Sequence, residues 1–150
     1  TTLDNDFIDI DYSSRKSKTI TLILHGLEGS SNSSNVKGIV NIINQNNWDA
    51  VVLNFRGCSG TPNNLLSAYH SGKTDDVDLV VKHLQKSYQE IYIVGFSLGG
   101  NTLLKYLGEK YKSINAVKKA VNEGNMTSLN CPEEVYLAEK PFIILDLKEC

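Results

Sequence analysis

Residues 91–100 decide the fold of this chain, and they read Ile91-Tyr92-Ile93-Val94-Gly95-Phe96-Ser97-Leu98-Gly99-Gly100. The first half is a short apolar run rich in β-branched residues, which predicts a buried strand. It leads directly into Gly-x-Ser-x-Gly and then into a helical pattern. A serine on such a sharp strand-to-helix turn, a nucleophile elbow, projects its hydroxyl above the sheet, while small residues on either side let neighbouring backbone approach. Ser97 is therefore the candidate catalytic nucleophile.

Strands and helices alternate through the residues that precede this stretch. Continuous aliphatic runs at Thr19–Leu24 and Val51–Phe55 predict two more strands buried on both faces, and the alternating segment Asp6–Tyr12 predicts an edge strand. Thr74 is expected to be the N-cap of a helix. Apolar residues at helical spacing predict three amphipathic helices. Their buried stripes are Val36, Ile39, Val40 and Ile43; Val77, Val80, Val81 and Leu84; and Leu103, Leu104, Leu107 and Tyr111.

The alternation of strands and helices implies right-handed crossovers and thus an α/β fold, with a mostly parallel sheet and flanking helices. In such a sheet the functional groups gather at the C-terminal ends of the strands. The loops that follow Leu24, Phe55 and Val94 should therefore meet at one edge of the sheet.

The pattern weakens after about residue 112. Ile114, Val117 and Val121 predict a short helix that ends near Gly124, and Phe142–Leu147 predicts a further buried strand.

A serine nucleophile needs donors for the oxyanion that forms on the substrate. In a nucleophile elbow one donor is the backbone N–H of the residue after the serine, which here is Leu98, and the other comes from the loop after the preceding central strand. That loop reads His25-Gly26-Leu27, so the backbone N–H of Leu27 is the second candidate.

Composition narrows the function classes. At 150 residues and 41% hydrophobic, the chain is expected to form one domain over residues 1–150. A net charge of −2 without a basic cluster excludes nucleic acid as an expected partner. We expect a cytoplasmic protein without a transmembrane segment, because the apolar runs are short and the first residues lack a leader pattern.

No cofactor or metal is expected. The three cysteines have no CxxC spacing, and the acidic cluster Asp75, Asp76 and Asp78 fits the first turn of a helix, where acids interact favourably with the helix dipole.

Four blocks in order carry a family resemblance: residues 25–31 (HGLEGSS), residues 54–63 (NFRGCSGTPN), residues 69–72 (YHSG) and residues 95–109 (GFSLGGNTLLKYLGE). Together they resemble the α/β-hydrolase family that includes the bacterial YheT-type hydrolases, the plant EMB8-like proteins and their animal ABHD relatives. The resemblance covers about residues 6–111 and implies the N-terminal half of an α/β-hydrolase fold, with 112–150 as a divergent or truncated tail.

The resemblance also implies a function. It indicates a carboxylesterase or lipase-like serine hydrolase that cleaves small-molecule, acyl or lipid-like carboxylic esters through an acyl-enzyme. Ser97 would be the nucleophile of a Ser-Asp-His triad.

The sequence departs from the family at the general base. In this fold the histidine of the triad follows the serine, whereas His25, His70 and His83 all precede Ser97. Asp146 and Glu149 match the triad acid only on a generous alignment. We therefore expect the base to lie outside this chain.

Two alternatives to an ester hydrolase stay open at this point. One is a catalytically incompetent fragment or pseudoenzyme that works as a partner-dependent module and self-associates through an unpaired sheet edge. The other is an acyltransferase that uses the same serine with an alcohol in place of water.

Overall fold

The computed structural model describes residues 1–110 and, beyond them, the backbone of three strands. The first part contains helices α1 (Ser34–Gln45), α2 (Asp75–Leu84) and α3 (Leu98–Lys110) and strands β1 (Asp9–Ser13), β2 (Thr19–Leu24), β3 (Asp49–Asn54) and β4 (Glu90–Phe96). The three later strands are β5 (Val117–Glu123), β6 (Tyr136–Leu137) and β7 (Phe142–Asp146).

The strands form one sheet in the order β1-β3-β2-β4-β5-β7-β6. Its centre is parallel, because β2 pairs in parallel with β3 and β4, and β4 pairs in parallel with β5. Strands β1, β6 and β7 pair antiparallel to their neighbours. This mixed, mostly parallel sheet with flanking helices is the predicted α/β architecture.

Successive side chains of a strand point to opposite faces of the sheet. Different helices cover these two faces. On one face Ile20, Leu22 and Leu24 of β2 pack with the buried stripes of α2 and α3. On the other face Ile23 packs with Val36 of α1. The predicted helical stripes are confirmed within residues 1–110, and α3 also buries Tyr106 completely. Tyr111 lies outside the described residues. None of the helices in residues 1–110 is long and apolar enough to span a bilayer.

The predicted short helix near Gly124 is wrong, because residues Val117–Glu123 form β5. Apolar residues four positions apart, as at Val117 and Val121, fit one face of a helix and also one face of a strand. Pairing with β4 decides between the two, and it includes a register shift between Ile91 and Tyr92.

Two smaller predictions are confirmed only in part, and the first is the edge strand, which is present as β1 at one edge of the sheet. The edge strand begins at Asp9 and not at Asp6, because the buried Asp6 carboxylate instead accepts the backbone N–H groups of Phe7, Asn64 and Leu65. Thr74 is the N-cap residue of α2, as predicted, but its side chain makes no capping hydrogen bond.

The hydroxyl of Thr74 donates to Glu109 of α3 at 2.6 Å instead. It thus links the start of α2 to the end of α3.

A buried ion-pair network centres on Arg56, which directly follows Phe55 at the C-terminal end of β3. Its guanidinium donates two hydrogen bonds to Asp76 of α2, both 2.8 Å long, and two to Asp4 at 2.7 and 3.0 Å. Arg56 and Asp76 are only 5% and 4% exposed, so the pair lies in the interior. The network joins three segments that are far apart in sequence: the N-terminus, the loop after β3 and α2.

We predict that Arg56→Met destabilises the fold by about 3–5 kcal/mol, because it leaves the Asp76 carboxylate buried without its partner. Lys82→Met is the control, since the exposed Lys82–Asp78 pair within α2 is worth about 0.5 kcal/mol or less. Urea unfolding measures the free energy of unfolding of both variants. An equal loss of stability in the two would contradict a buried role for Arg56.

Asp49 supplies a predicted pH dependence of stability. Burial alone would raise the pKa of this carboxyl, but hydrogen bonds from the backbone of Arg15 and Ser17 and from the hydroxyls of Tyr88 and Ser14 outweigh it and hold the pKa below its usual value. A lowered folded-state pKa contributes stability above the unfolded value of about 4, and this contribution is lost as the pH falls below it. Urea midpoints should therefore fall between pH 5 and pH 3, and more steeply in the wild type than in Asp49→Asn.

Candidate functional site

Ser97 occupies the turn between β4 and α3 with an unusual backbone conformation. Its φ is +49°, a left-handed value that costs a residue with a Cβ energy and is rare outside glycine. The side chain is exposed. The carbonyl of Ser97 accepts the N–H of Asn101 at 3.1 Å, so the helix starts directly from the strained residue.

Gly95 and Gly99 make the turn sterically feasible. A Cβ at Gly95 would lie 2.7 Å from the Cα of Gly100, and a Cβ at Gly99 would lie 2.5 Å from the carbonyl oxygen of His25 and closer still to that of Leu24. Real Cβ atoms do not approach backbone this closely. The predicted reason for small residues two positions before and after Ser97 is thus confirmed.

The loop of residues 25–29, called here the 25–29 loop, borders Ser97. An added Cβ at Gly26 would lie 3.6 Å from the Cβ of Ser97 and 3.5 Å from the carbonyl oxygen of Phe96. The loop closes on itself through the N–H of Gly29, which donates to the Gly26 carbonyl at 3.1 Å. Within it, Leu27 is exposed. The predicted oxyanion loop and the predicted nucleophile are therefore neighbours in space.

Leu98 is the first residue of α3. The N–H groups of the first helical turn have no acceptor within their own helix. The backbone of Leu98 thus presents a donor immediately after Ser97.

His25 is completely buried and shapes the start of the 25–29 loop. Its Nε2 accepts the backbone N–H of Phe55 at 3.0 Å, so Nδ1 carries the proton and donates to the carbonyl of Gly26 at 2.7 Å. Burial lowers the pKa of this imidazole, which favours its neutral form. Since both ring nitrogens are engaged, His25 is a structural element of this loop.

The other two histidines also have structural explanations. His83 is exposed on α2, as expected. His70 is exposed and accepts the N–H of Gly72 at its Nδ1, 3.1 Å away, which orders the loop before α2. Of the two weak acid candidates, Asp146 ends β7 and Glu149 lies outside the described residues.

Tyr69 is a residue of the site that sequence reasoning missed. Its ring stacks on Phe55 with centroids 5.3 Å apart and an interplanar angle of 5°. Its hydroxyl accepts the backbone N–H of Glu28 at 2.8 Å. The sequence signal was present, because Tyr69 lies in the YHSG block, but nothing local indicates a partner 41 positions away.

The acidic residues at the start of α2 have specific partners, in addition to their favourable position in the helix dipole. Asp76 binds Arg56, while Asp78 pairs with Lys82 and accepts the hydroxyl of Tyr106. In residues 1–110 no group of three or more acids, histidines or cysteines is arranged to hold a metal ion.

Known proteins resemble this chain in sequence and in fold. The family model described as alpha/beta hydrolase fold matches residues 21–142. The chain is 39% identical over 113 residues to YheT of Escherichia coli (strain K12), an alignment that covers 71% of this chain and 33% of YheT. It is 36% identical over 105 residues to the monoacylglycerol lipase of Saccharomyces cerevisiae, with 68% of this chain and 23% of the lipase covered.

Among solved structures, the esterase Pf2001 of Pyrococcus furiosus matches with a TM-score of 0.63 at 17% identity. The match covers 78% of this chain and 46% of that esterase, and at this identity it concerns the fold alone. The chain thus spans a third or less of the two sequence relatives and about half of the structural one.

We predict that Gly99→Ala destabilises the protein by about 1–3 kcal/mol, because the new methyl group meets the backbone at the end of β2. Gly108→Ala makes the same change in the same helix, where nothing lies within 4 Å, and should stabilise it by up to about 1 kcal/mol. Thermal unfolding compares the two. A similar stabilisation by both would refute the close approach of α3 to β2.

Proposed function

The chain belongs to the α/β-hydrolase fold family, and on that premise we propose that it is a serine hydrolase whose nucleophile is Ser97 and whose substrates are carboxylic esters. The observation that carries the proposal is the strained, exposed serine between β4 and α3. A left-handed φ at a residue other than glycine persists only where the surrounding structure imposes it, and such residues cluster at active sites. On this proposal the turn at Ser97 acts as a nucleophile elbow.

The proposed mechanism proceeds through an acyl-enzyme. The Oγ of Ser97 bonds to the ester carbonyl carbon as a base takes its proton, and the carbonyl electron pair moves onto oxygen. The N–H groups of Leu27 and Leu98 donate to this oxyanion, which is why the proximity of the 25–29 loop to Ser97 matters. The alcohol then leaves with a proton, and water releases the acid from Ser97.

The general base is assigned outside these 150 residues. His25 is buried with both nitrogens engaged, His83 is exposed on α2, and His70 orders its own loop. No histidine follows Ser97 in the sequence. By itself the chain should therefore retain only the part of catalysis that comes from the oxyanion donors and from substrate binding.

Exposed leucines on the loops after β2 and β3 support an acyl or lipid-like substrate. Leu27 is 68% exposed, and Leu65 and Leu66 are exposed on the loop after β3, where they line an open pocket. Because β2, β3 and β4 are parallel, both loops lie with Ser97 at the C-terminal ends of the strands. The lipase activity named for the Saccharomyces cerevisiae relative supports the same substrate class.

We also propose a reducing compartment such as the cytoplasm. The sequence has an odd number of cysteines without CxxC spacing, and Cys58 is a free thiol.

Covalent labelling tests the nucleophile directly. The folded chain is treated with a fluorophosphonate in the presence of imidazole, which replaces the absent base. Attack by Ser97 forms an O–P bond, fluoride leaves, and imidazole accepts the proton. We expect one adduct per chain at Ser97 by mass spectrometry, at a rate that increases with the concentration of neutral imidazole.

Two variants control the labelling experiment. Ser97→Ala should lose the adduct, while Ser71→Ala removes another exposed serine from the loop before α2 and should keep it. If the wild type is folded by circular dichroism and stays unlabelled, the hydrolase proposal fails and the chain is the non-catalytic module considered above.

A further inference from the structure

Tyr69 connects the loop after β3 to the loop that borders Ser97. We propose that it is a positioning residue, whose hydroxyl holds the 25–29 loop so that the N–H of Leu27 points to the oxyanion. The inference rests on the proposed function, because it assigns a role within that same site.

The hydroxyl of Tyr69 holds the loop at its strained point. Glu28 has a φ of +55°, again a left-handed value that disfavours a residue with a Cβ, and its N–H donates to the hydroxyl at 2.8 Å. Glu28 directly follows Leu27, so the hydrogen bond fixes the backbone next to the proposed oxyanion donor.

The ring of Tyr69 is itself fixed by the ends of β2 and β3. It stacks flat on Phe55 and meets His25 edge-on, with centroids 6.5 Å apart and an interplanar angle of 74°. Phe55 and His25 also contact each other edge-on at 4.7 Å and share a backbone-to-ring hydrogen bond. The hydroxyl therefore projects from an aromatic cluster that is anchored in the sheet.

Removing the hydroxyl while keeping the ring separates positioning from packing. Phenylalanine at residue 69 can keep the stack on Phe55 but leaves the N–H of Glu28 without its acceptor. The 25–29 loop then loses the hold that offsets its strain. Oxyanion donors act only when they are placed in advance, and losing one completely costs about 10²–10³ in rate. Displacing the Leu27 N–H without removing it should lower the rate by less, on the order of 10-fold.

The test uses imidazole-assisted phosphonylation of the full 150-residue chain by a fluorophosphonate. The dependence of the rate on probe concentration separates the maximal rate constant of bond formation from the probe's apparent dissociation constant. In Tyr69→Phe we expect the rate constant to fall about 10-fold with the dissociation constant unchanged. Tyr88→Phe is the control, since it also removes a hydroxyl with a hydrogen bond, to Asp49 at the opposite edge of the sheet. Its rate constant should stay within about twofold of the wild type.

Amide hydrogen exchange gives a second readout that does not depend on labelling. The N–H of Glu28 should be protected in the wild type and exchange faster in Tyr69→Phe, while Tyr88→Phe leaves it unchanged. An unprotected Glu28 N–H in the folded wild type would overturn the inference without any variant.

The outcomes distinguish the two proposals. Suppose that the wild type is labelled at Ser97 and that Tyr69→Phe reacts with the same rate constant. Tyr69 then has no positioning role, and the proposal of a serine hydrolase stands. The same conclusion follows if only a smaller fraction of the variant reacts, but with the wild-type rate constant. If the folded wild type is not labelled at all, the proposed function falls and this inference falls with it.

Discussion

The close approach of α3 to the end of β2 is the constraint on which the site depends. It exists because Gly99 has no side chain, so the first turn of the helix can lie against the carbonyl groups of Leu24 and His25. Ser97, two residues before Gly99, has its left-handed conformation in this same turn, and Gly26 lies beside it. The serine and the loop that faces it therefore both lie where α3 approaches the end of β2 most closely.

Polar contacts, together with the aromatic cluster of His25, Phe55 and Tyr69, hold the loops at the C-terminal ends of the strands. Arg56 ties the loop after β3 to Asp76 and to the N-terminal segment, and Asp6 accepts two backbone N–H groups from the same loop. Buried ion pairs of this kind recover their desolvation cost only with good geometry, and they tolerate few alternative arrangements. The segments around Ser97 are thus fixed by directional bonds, which suits a site that must keep donors in place.

The sequence predicted what depends on local periodicity and missed what depends on distant partners. The strand at Thr19–Leu24 and the stripes of α1 and α2 follow from side-chain spacing, and so does the turn at Ser97. Val117 and Val121 satisfy two periods at once, so only pairing with β4 could decide between helix and strand. The partner of the Tyr69 hydroxyl, the N–H of Glu28, lies 41 positions away in sequence, so only the tertiary fold brings the two together.

The attack and the proton transfer of the proposed reaction have separate structural origins. The proposed nucleophile and the two proposed oxyanion donors depend on the close approach of residues 24–29 to residues 95–100, all within the described part of the chain. His25 and His70 contribute to loop structure, and we propose that proton transfer uses a base outside this sequence. In serine enzymes that lack a triad member, the oxyanion donors and binding still accelerate the reaction over water. Because the geometry of attack does not require the base, an external base such as imidazole can reveal it.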